Sequence, residues 1–107
     1  MRTIKFRAWN KRYSRFDRTF IHLELNKSYI EYHELILMQY TGLKDKNGVE
    51  IYEGDIAKIN GRVGEIKYHR GTYWLFDGGY TYSFYNYLPN EYKVIGNIYE
   101  NKELLDG

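Results

Sequence analysis

The sequence contains no cysteine, a single proline and no long apolar run. Without cysteine the chain has no disulfide, no cysteine nucleophile and no thiolate metal site, which is typical of a reducing compartment. No segment approaches the roughly 20 apolar residues of a transmembrane helix. The first residues, MRTIKFRAWNKR, lack the apolar stretch of a signal peptide. We therefore expect a cytoplasmic protein that makes no membrane contact.

The chain also lacks the residue patterns of common catalytic and metal sites. Its three histidines, His22, His33 and His69, do not have metal-ligand spacing. It has no phosphate-cradling glycine loop and no nucleophile elbow. Glu53 and Asp55 flank one glycine, and paired carboxylates can serve acid–base chemistry, but a role in a turn explains both. We predict no cofactor and no metal, and we keep an enzyme only as a minor third option.

What the chain has is tyrosine, glycine and tight turns. Aromatic residues make up 19% of the 107 residues, with thirteen tyrosines, and there are ten glycines. Tyrosine favours strands and half-buried positions, and glycine suits the turns between short strands. A chain of this length fits one domain with its own core. These features predict a mostly β fold, α+β at most.

The stretch from Leu37 to Ile59 sets the register of the predicted strands. It holds turns at 45–48 and 53–55, and a further Asn-Gly turn follows directly. Asn-Gly is a strong hairpin signal because both central residues of a type I′ turn need positive φ. Aspartate can accept backbone N–H bonds across a turn. The predicted structural turn residues are Asn47, Gly48, Gly54, Asp55, Asn60 and Gly61.

Alternation of apolar and polar residues predicts strands along most of the chain. Two segments before the central stretch, 21–25 and 29–32, are interpreted as strands. The run at 34–40 fits a strand or two helical turns, and its brevity favours a strand. Gly64 is expected to form a bend or bulge. After it, the aromatic face of Tyr80, Tyr82 and Phe84 is predicted to point inward, with Thr81 and Ser83 opposite.

Four motifs together resemble the YopX family of bacteriophage and prophage proteins. They are YTGLKDKNG (Tyr40–Gly48), EIYEGDI (Glu50–Ile56), IKFRAW (Ile4–Trp9) and VIGNIYEN (Val94–Asn101). Two residues depart from the family pattern: Lys102 replaces a usual proline, and Ala57 replaces a larger aliphatic residue. The resemblance implies a small mostly β protein with an SH3-like barrel in its C-terminal half. It implies no established activity.

Pattern and resemblance together give the expected architecture. N-terminal β-hairpins pack with a small C-terminal SH3-like barrel in a single domain, residues 1–107. The N-terminal β region covers about 1–45 and the barrel about 50–99. In the tail, 100–107, Asn101 is the predicted N-cap of one helical turn whose residues Leu104 and Leu105 pack back.

The N-terminal hairpin is the best candidate for function. Residues 2–18 carry seven cations against one acid, Asp17, with aromatic residues interleaved. Cations neutralise phosphates, and exposed rings stack on unpaired bases. Strand alternation predicts that Trp9 lies on the cationic face. The candidate nucleic-acid-binding residues are Lys5, Arg7, Trp9, Lys11, Arg12, Arg15 and Arg18.

Two alternative roles for this cationic hairpin stay open. An ordinary solvated strand face, whose arginine stems cover apolar surface, is the more frequent origin of such a charge run. A host or phage protein is the alternative partner, since a tyrosine-rich barrel offers rigid contact area and Tyr85 and Tyr87 point away from the expected core. A salt-sensitive interaction would favour nucleic acid, and a salt-tolerant one would favour protein.

Overall fold

The computed structural model describes residues 5–17, 27–78, 80–83 and 91–106. In these ranges the chain forms nine strands, one α-helix and a final 3-10 helix. The elements are β1 (Phe6–Asn10), β2 (Arg15–Asp17), α1 (Lys27–His33), β3 (Leu35–Lys44), β4 (Glu50–Tyr52), β5 (Asp55–Ile59), β6 (Arg62–His69), β7 (Thr72–Asp77), β8 (Tyr80–Ser83), β9 (Lys93–Asn97) and the 3-10 helix Lys102–Leu105. The predicted mostly β fold is confirmed.

The chain divides into two compact units, residues 1–40 and 41–107. The strands form two antiparallel sheets, with the orders β2-β1-β3-β4 and β8-β7-β6-β5-β9. In the five-stranded sheet, the strand that comes first in the sequence, β5, lies between β6 and β9, as in an SH3-like barrel. That sheet begins at Asp55, since the residues 50–52 pair in the other sheet. The prediction of a single folding domain stays a prediction.

In the first unit, β1 lies between two partners. Trp9 is opposite Phe16 on β2 and opposite Ile36 on β3. The strand interpretation of the run at 34–40 is thereby confirmed from Leu35 onward, where β3 begins. Residues directly opposite in an antiparallel pair lie on the same face, so the neighbours of β1 decide what each of its faces contacts.

The segment 29–32 is helical, so the strand predicted there is wrong. Helix α1 covers it and ends at His33, where Glu34 takes a positive φ of 50°. The Glu34 N–H donates to the Glu31 carbonyl at 3.2 Å. Tyrosine and isoleucine favour strands, but side-chain contacts to distant residues fix this seven-residue helix. The predicted strand at 21–25 lies outside the described residues, as do Phe84, Tyr85 and Tyr87.

In the second unit the core lies between β4 and the five-stranded sheet. Seven buried residues form it, and Val94 packs against them. They are Ile51, Ala57, Ile59, Ile66, Tyr73, Leu75 and Tyr92. On β8, Ser83 is only 4% exposed. The prediction that Tyr80, Tyr82 and Phe84 point inward concerns side chains outside the described part of the chain.

The chain turns at the predicted positions. Asn47 does not have a positive φ, so the first Asn-Gly turn is not of type I′. Gly48 and Gly54 have φ values of 79° and 84°, and Asn60 and Gly61 both take positive φ, as a type I′ turn requires. The Asp55 carboxylate accepts the Tyr52 N–H at 2.7 Å and closes the second turn. The backbone conformation of the turns therefore explains why glycine, asparagine and aspartate stand at these positions.

Asp45 organises the first turn and fastens it to β9. One carboxylate oxygen accepts the N–H groups of Asn47 and Val49, at 2.8 and 2.9 Å, and the other accepts the Val94 N–H at 2.9 Å. Burial alone would raise the pKa of Asp45, whose side chain is 4% exposed, but these three donors and the Lys46 charge outweigh it and lower the pKa. Asp45 is therefore a charged structural residue.

Two local predictions differ in part from the structure. Gly64 lies in regular register opposite Ala57, so the β5–β6 pairing has no bulge there, and the register shift lies in the β5–β9 pairing, between Ile56 and Ala57. An added Cβ at Gly64 would lie 2.3 Å from the Phe76 carbonyl oxygen, so glycine permits a close approach of strands there. The predicted final turn exists as a 3-10 helix, but the Asn101 side chain does not cap it and Leu104 is exposed.

Glu65 on β6 provides a prediction about pH. Burial raises its pKa, although Lys67 and Lys102 oppose the shift. A carboxyl group whose pKa is raised by folding binds protons more tightly in the folded state, so its contribution to stability is lost as pH rises through the folded pKa. We expect Glu65→Gln to raise the denaturant midpoint at pH 7, with the gain disappearing near pH 4. Denaturation curves of Glu65→Gln and of the exposed control Glu103→Gln at both pH values would check this. An equal effect of the two variants would contradict it.

Candidate nucleic-acid interface

The turn between β1 and β2 and the first residue of β2 present three exposed cations. The turn covers residues 11–14, and Lys11, Arg12 and Arg15 are all exposed. The Tyr13 N–H donates to Asn10 Oδ1 at 3.0 Å, and Ser14 takes a positive φ of 51°. The turn is thus held by a buried side chain at the end of β1 and has a defined shape.

His33, at the end of α1, lies at the centre of a ring cluster beside this turn. Its ring centroid is 4.2 Å from that of Tyr29, 4.9 Å from that of Tyr32 and 5.2 Å from that of Tyr13. Asn10 Nδ2 is 3.1 Å from His33 Nδ1. Since Asn10 Oδ1 already accepts the Tyr13 N–H, the amide nitrogen faces the histidine and Nδ1 is the acceptor. The network therefore assigns the ring proton of neutral His33 to Nε2.

Two further contacts join α1 to the hairpin. The Arg12 N–H donates to the His33 carbonyl at 3.3 Å, which satisfies an acceptor at the helix end. The Tyr29 hydroxyl donates a hydrogen bond to the Asp17 carboxylate. That bond is the main cause of the raised pKa of Tyr29, with burial and the Asp17 charge adding to it. The helix and the turn thus form one connected surface.

Two arginines lie over exposed tyrosine rings on this surface. The Arg12 guanidinium carbon is 4.0 Å from the Tyr32 ring centroid, and that of Arg15 is 5.0 Å from the Tyr13 centroid. Tyr32 is 57% exposed and Tyr13 is 54% exposed. Cation–π contact holds such side chains in place without removing them from solvent. We call Lys11, Arg12, Tyr13, Arg15 and Tyr32 the turn surface.

The structure does not place all the predicted site residues together. Trp9 is only 8% exposed and packs edge-on against Phe16, with ring centroids 5.0 Å apart, so the prediction of an exposed ring at Trp9 is wrong. Its physical reason is strand pairing, because the face of Trp9 also carries the side chains opposite it on β2 and β3.

Two of the predicted site cations, Arg7 on β1 and Lys5 just before it, lie against apolar or aromatic side chains. The Lys5 ammonium lies 4.7 Å from the Tyr40 ring centroid, and the Arg7 guanidinium lies 4.8 Å from that of Phe16. Arg7 Nη2 also contacts the Met38 sulfur at 3.8 Å. Both side chains cover apolar surface, as arginine and lysine stems commonly do. Arg18 lies outside the described residues.

Sequence reasoning missed the contribution of Tyr32 and His33 to this surface. Tyr32 lies in the segment 29–32 that was interpreted as a strand, and His33 follows it directly. In a strand, these neighbouring side chains would point to opposite faces. Their approach to the turn depends on the helix and on Asn10, more than twenty residues earlier. Only the density of aromatic residues around position 30 pointed to a ring cluster.

The described residues hold no group of three or more His, Asp or Glu side chains arranged to bind a metal ion. The carboxylate of Asp55, considered above for acid–base chemistry, accepts a backbone N–H in its turn. No helix within the described ranges is long and apolar enough to span a membrane.

Comparison with known proteins identifies a family. The model of the family described as "YopX protein" matches residues 14–106. The crystal structure of protein EF1440 from Enterococcus faecalis is similar over 98% of this chain and 99% of that one, with 28% sequence identity and a TM-score of 0.65. No curated protein matches the chain significantly. Because the family model covers most of the sequence, including the central turns and the barrel strands, this chain is a member of the YopX family.

Proposed function

We propose that this protein is a non-enzymatic binding module whose turn surface binds single-stranded nucleic acid weakly. The observation that supports the proposal is the pair of exposed tyrosine rings, each with a guanidinium over it. Unpaired bases stack on aromatic rings and on guanidinium planes, and arginine also pairs with phosphate. Lys11 adds a third exposed cation beside them. Membership in the YopX family supports a bacteriophage or prophage origin, and the proposed place of action is the cytoplasm of a bacterial host.

The proposal gives Trp9 no direct contact with the ligand. A buried indole cannot stack on a base, so we expect no quenching of Trp9 by direct stacking. Tyr13 and Tyr32 are the stacking residues instead, because their rings are exposed and lie beside cations.

We expect the affinity for a labelled oligothymidylate to fall steeply with salt. Each phosphate contact releases counterions and contributes a log–log slope of roughly −0.7 for single strands. Arg12→Ala combined with Arg15→Ala should therefore make the slope shallower by about 1.4. Tyr13→Ala should cost about 1–3 kcal/mol of binding free energy. Fluorescence anisotropy at several salt concentrations measures both effects.

The matched control removes two exposed cations elsewhere, Lys44→Ala with Lys67→Ala. It has the same change in net charge, so it should retain the wild-type slope to within about 0.3, well below the change per contact. Equal losses in the two double variants would show that only net charge matters. No binding by wild type at low salt would reject the proposal.

A protein partner is the second candidate, and the same surface favours it. Tyrosine and arginine are the residues that most often dominate protein interfaces. Such a complex would survive salt that removes the oligonucleotide, and Tyr13→Ala would weaken it without changing any salt slope.

A further inference from the structure

A groove lies on the second unit, beside the ends of β5 and β9, and contains no residue of the turn surface. Its volume is about 460 Å³, within the range of small-molecule sites. Lysines lie around it and aliphatic residues form its floor. We call it the lysine groove, defined by Lys46, Lys58, Lys93, Ile59, Val63 and Ile95.

The three lysines are brought together by backbone pairing. Lys58 and Lys93 are directly opposite on β5 and β9. The Lys46 N–H donates to the Tyr92 carbonyl at 3.0 Å, which holds Lys46 beside the start of β9. Like charges directly opposite on neighbouring strands are destabilising. The register thus holds two positive charges close together, which lowers the stability of the folded protein.

Acidic side chains neutralise this charge only in part: the Asp45 carboxylate is close enough to the Lys46 charge for that charge to lower its pKa, and Glu91 is in the lining. Two ion pairs of the second unit, Arg62 with Asp77 and Lys67 with Glu65, involve none of the three lysines. Glu91 is the single acidic residue in the lining, so the groove carries three cations and one anion. An anionic ligand would relieve the repulsion between Lys58 and Lys93.

The floor of the groove is apolar because of an irregularity in the sheet. The register between β5 and β9 shifts between Ile56 and Ala57, which leaves Ile95 without a directly opposite partner. Bulges re-aim side chains and are frequent at binding sites. Ile95 and Val63 are half-buried, and Ile59, which also lines the groove, is buried. The groove thus offers apolar contact next to its cations.

We propose that the lysine groove binds a small organic phosphate. Its phosphoryl group lies between Lys58 and Lys93, with Lys46 adjacent, and its ring or apolar part lies over Val63 and Ile95. Lysine ammoniums bind phosphate as point charges, and a dianion can interact with two of them at once. The groove is larger than inorganic phosphate needs, so the phosphate carries an organic group. This site is independent of the nucleic-acid proposal, because it shares no residue with the turn surface.

The test is a titration of the full chain with adenosine 5′-monophosphate, inorganic phosphate and adenosine, followed by two-dimensional NMR. Both phosphates should shift the backbone amides of Lys58, Gly61 and Lys93, and the nucleotide should bind at least tenfold more tightly than inorganic phosphate. Adenosine should bind at least tenfold more weakly than the nucleotide. Amides of the turn surface should stay in place.

The decisive variant is Lys58→Glu. It places an acid opposite Lys93, so its thermal midpoint should equal or exceed that of wild type, and its affinity for the nucleotide should fall at least tenfold. Lys44→Ala with Lys67→Ala is the control and should bind as wild type does. Absence of binding at millimolar nucleotide, equal binding by adenosine, or unchanged affinity in Lys58→Glu would each overturn the proposal.

Discussion

Asp45→Ala should lower the free energy of unfolding by about 3–5 kcal/mol, because three backbone donors lose their acceptor at once. Two of them, in Asn47 and Val49, shape the turn, and the third, in Val94, belongs to β9, 49 positions along the chain. Hydrogen bonds to a charged acceptor are stronger than neutral ones, and three partly buried N–H groups lose that acceptor together. Chemical denaturation measures the loss.

The same residue predicts a dependence on acid. The pKa of Asp45 is lowered by folding, so its contribution is complete above the ordinary value of 3.8 and is lost as pH falls through the lower, folded value. Asp45→Ala should therefore lose less stability than wild type when the pH is taken below 3.8. Asp106→Ala, which removes an exposed carboxylate, is the control. It should change neither the free energy of unfolding nor its dependence on acid measurably. A wild-type denaturation midpoint in Asp45→Ala would show that the turn does not depend on this carboxylate.

Gly64→Ala is the second change for which we expect a large effect, a loss of more than about 3 kcal/mol. The added Cβ would lie 2.3 Å from the Phe76 carbonyl oxygen and 2.7 Å from its carbonyl carbon. These atoms belong to the backbone of β7, so relief requires β6 and β7 to separate. Their pairing continues immediately beyond this point, from Glu65 opposite Phe76. A clash with backbone is therefore more costly than one with a flexible side chain.

Gly71→Ala is the matched control for this change. Gly71 has a φ of 83°, and a methyl group added there would have no atom within 4 Å, so alanine meets backbone strain without a clash. Strain of that kind costs about 1–2 kcal/mol. Thermal denaturation of both variants separates the two causes. If Gly64→Ala were no more destabilising than Gly71→Ala, the close approach of β6 and β7 at Gly64 would be contradicted.

Local chemistry explains which parts of the fold the sequence predicted. Asn60 and Gly61 form their turn because their backbone preferences match it, and Gly48 and Gly54 do the same. These choices need information from only a few neighbouring residues. The strands between the turns follow for the same reason.

Features that depend on distant residues were not predictable from the sequence. Trp9 is buried because Phe16 and Ile36 lie opposite it, and a single strand's alternation does not contain that information. Helix α1 forms against strand propensity through contacts with β1 and β2. The bond from Asp45 to β9 likewise appears only once that strand is in place. In the candidate site, the cations of the turn were predictable, while the rings that α1 contributes were not.

The most direct test of the proposed function is a residue-resolved NMR titration of the ¹⁵N-labelled full chain with oligothymidylate at low salt. The turn surface should show the largest shifts, at the amides of Arg12, Tyr13, Arg15 and Tyr32, and added salt should reverse them. The largest shifts at Lys58 and Lys93, or no shifts at all, would contradict the assignment of nucleic-acid binding to this surface.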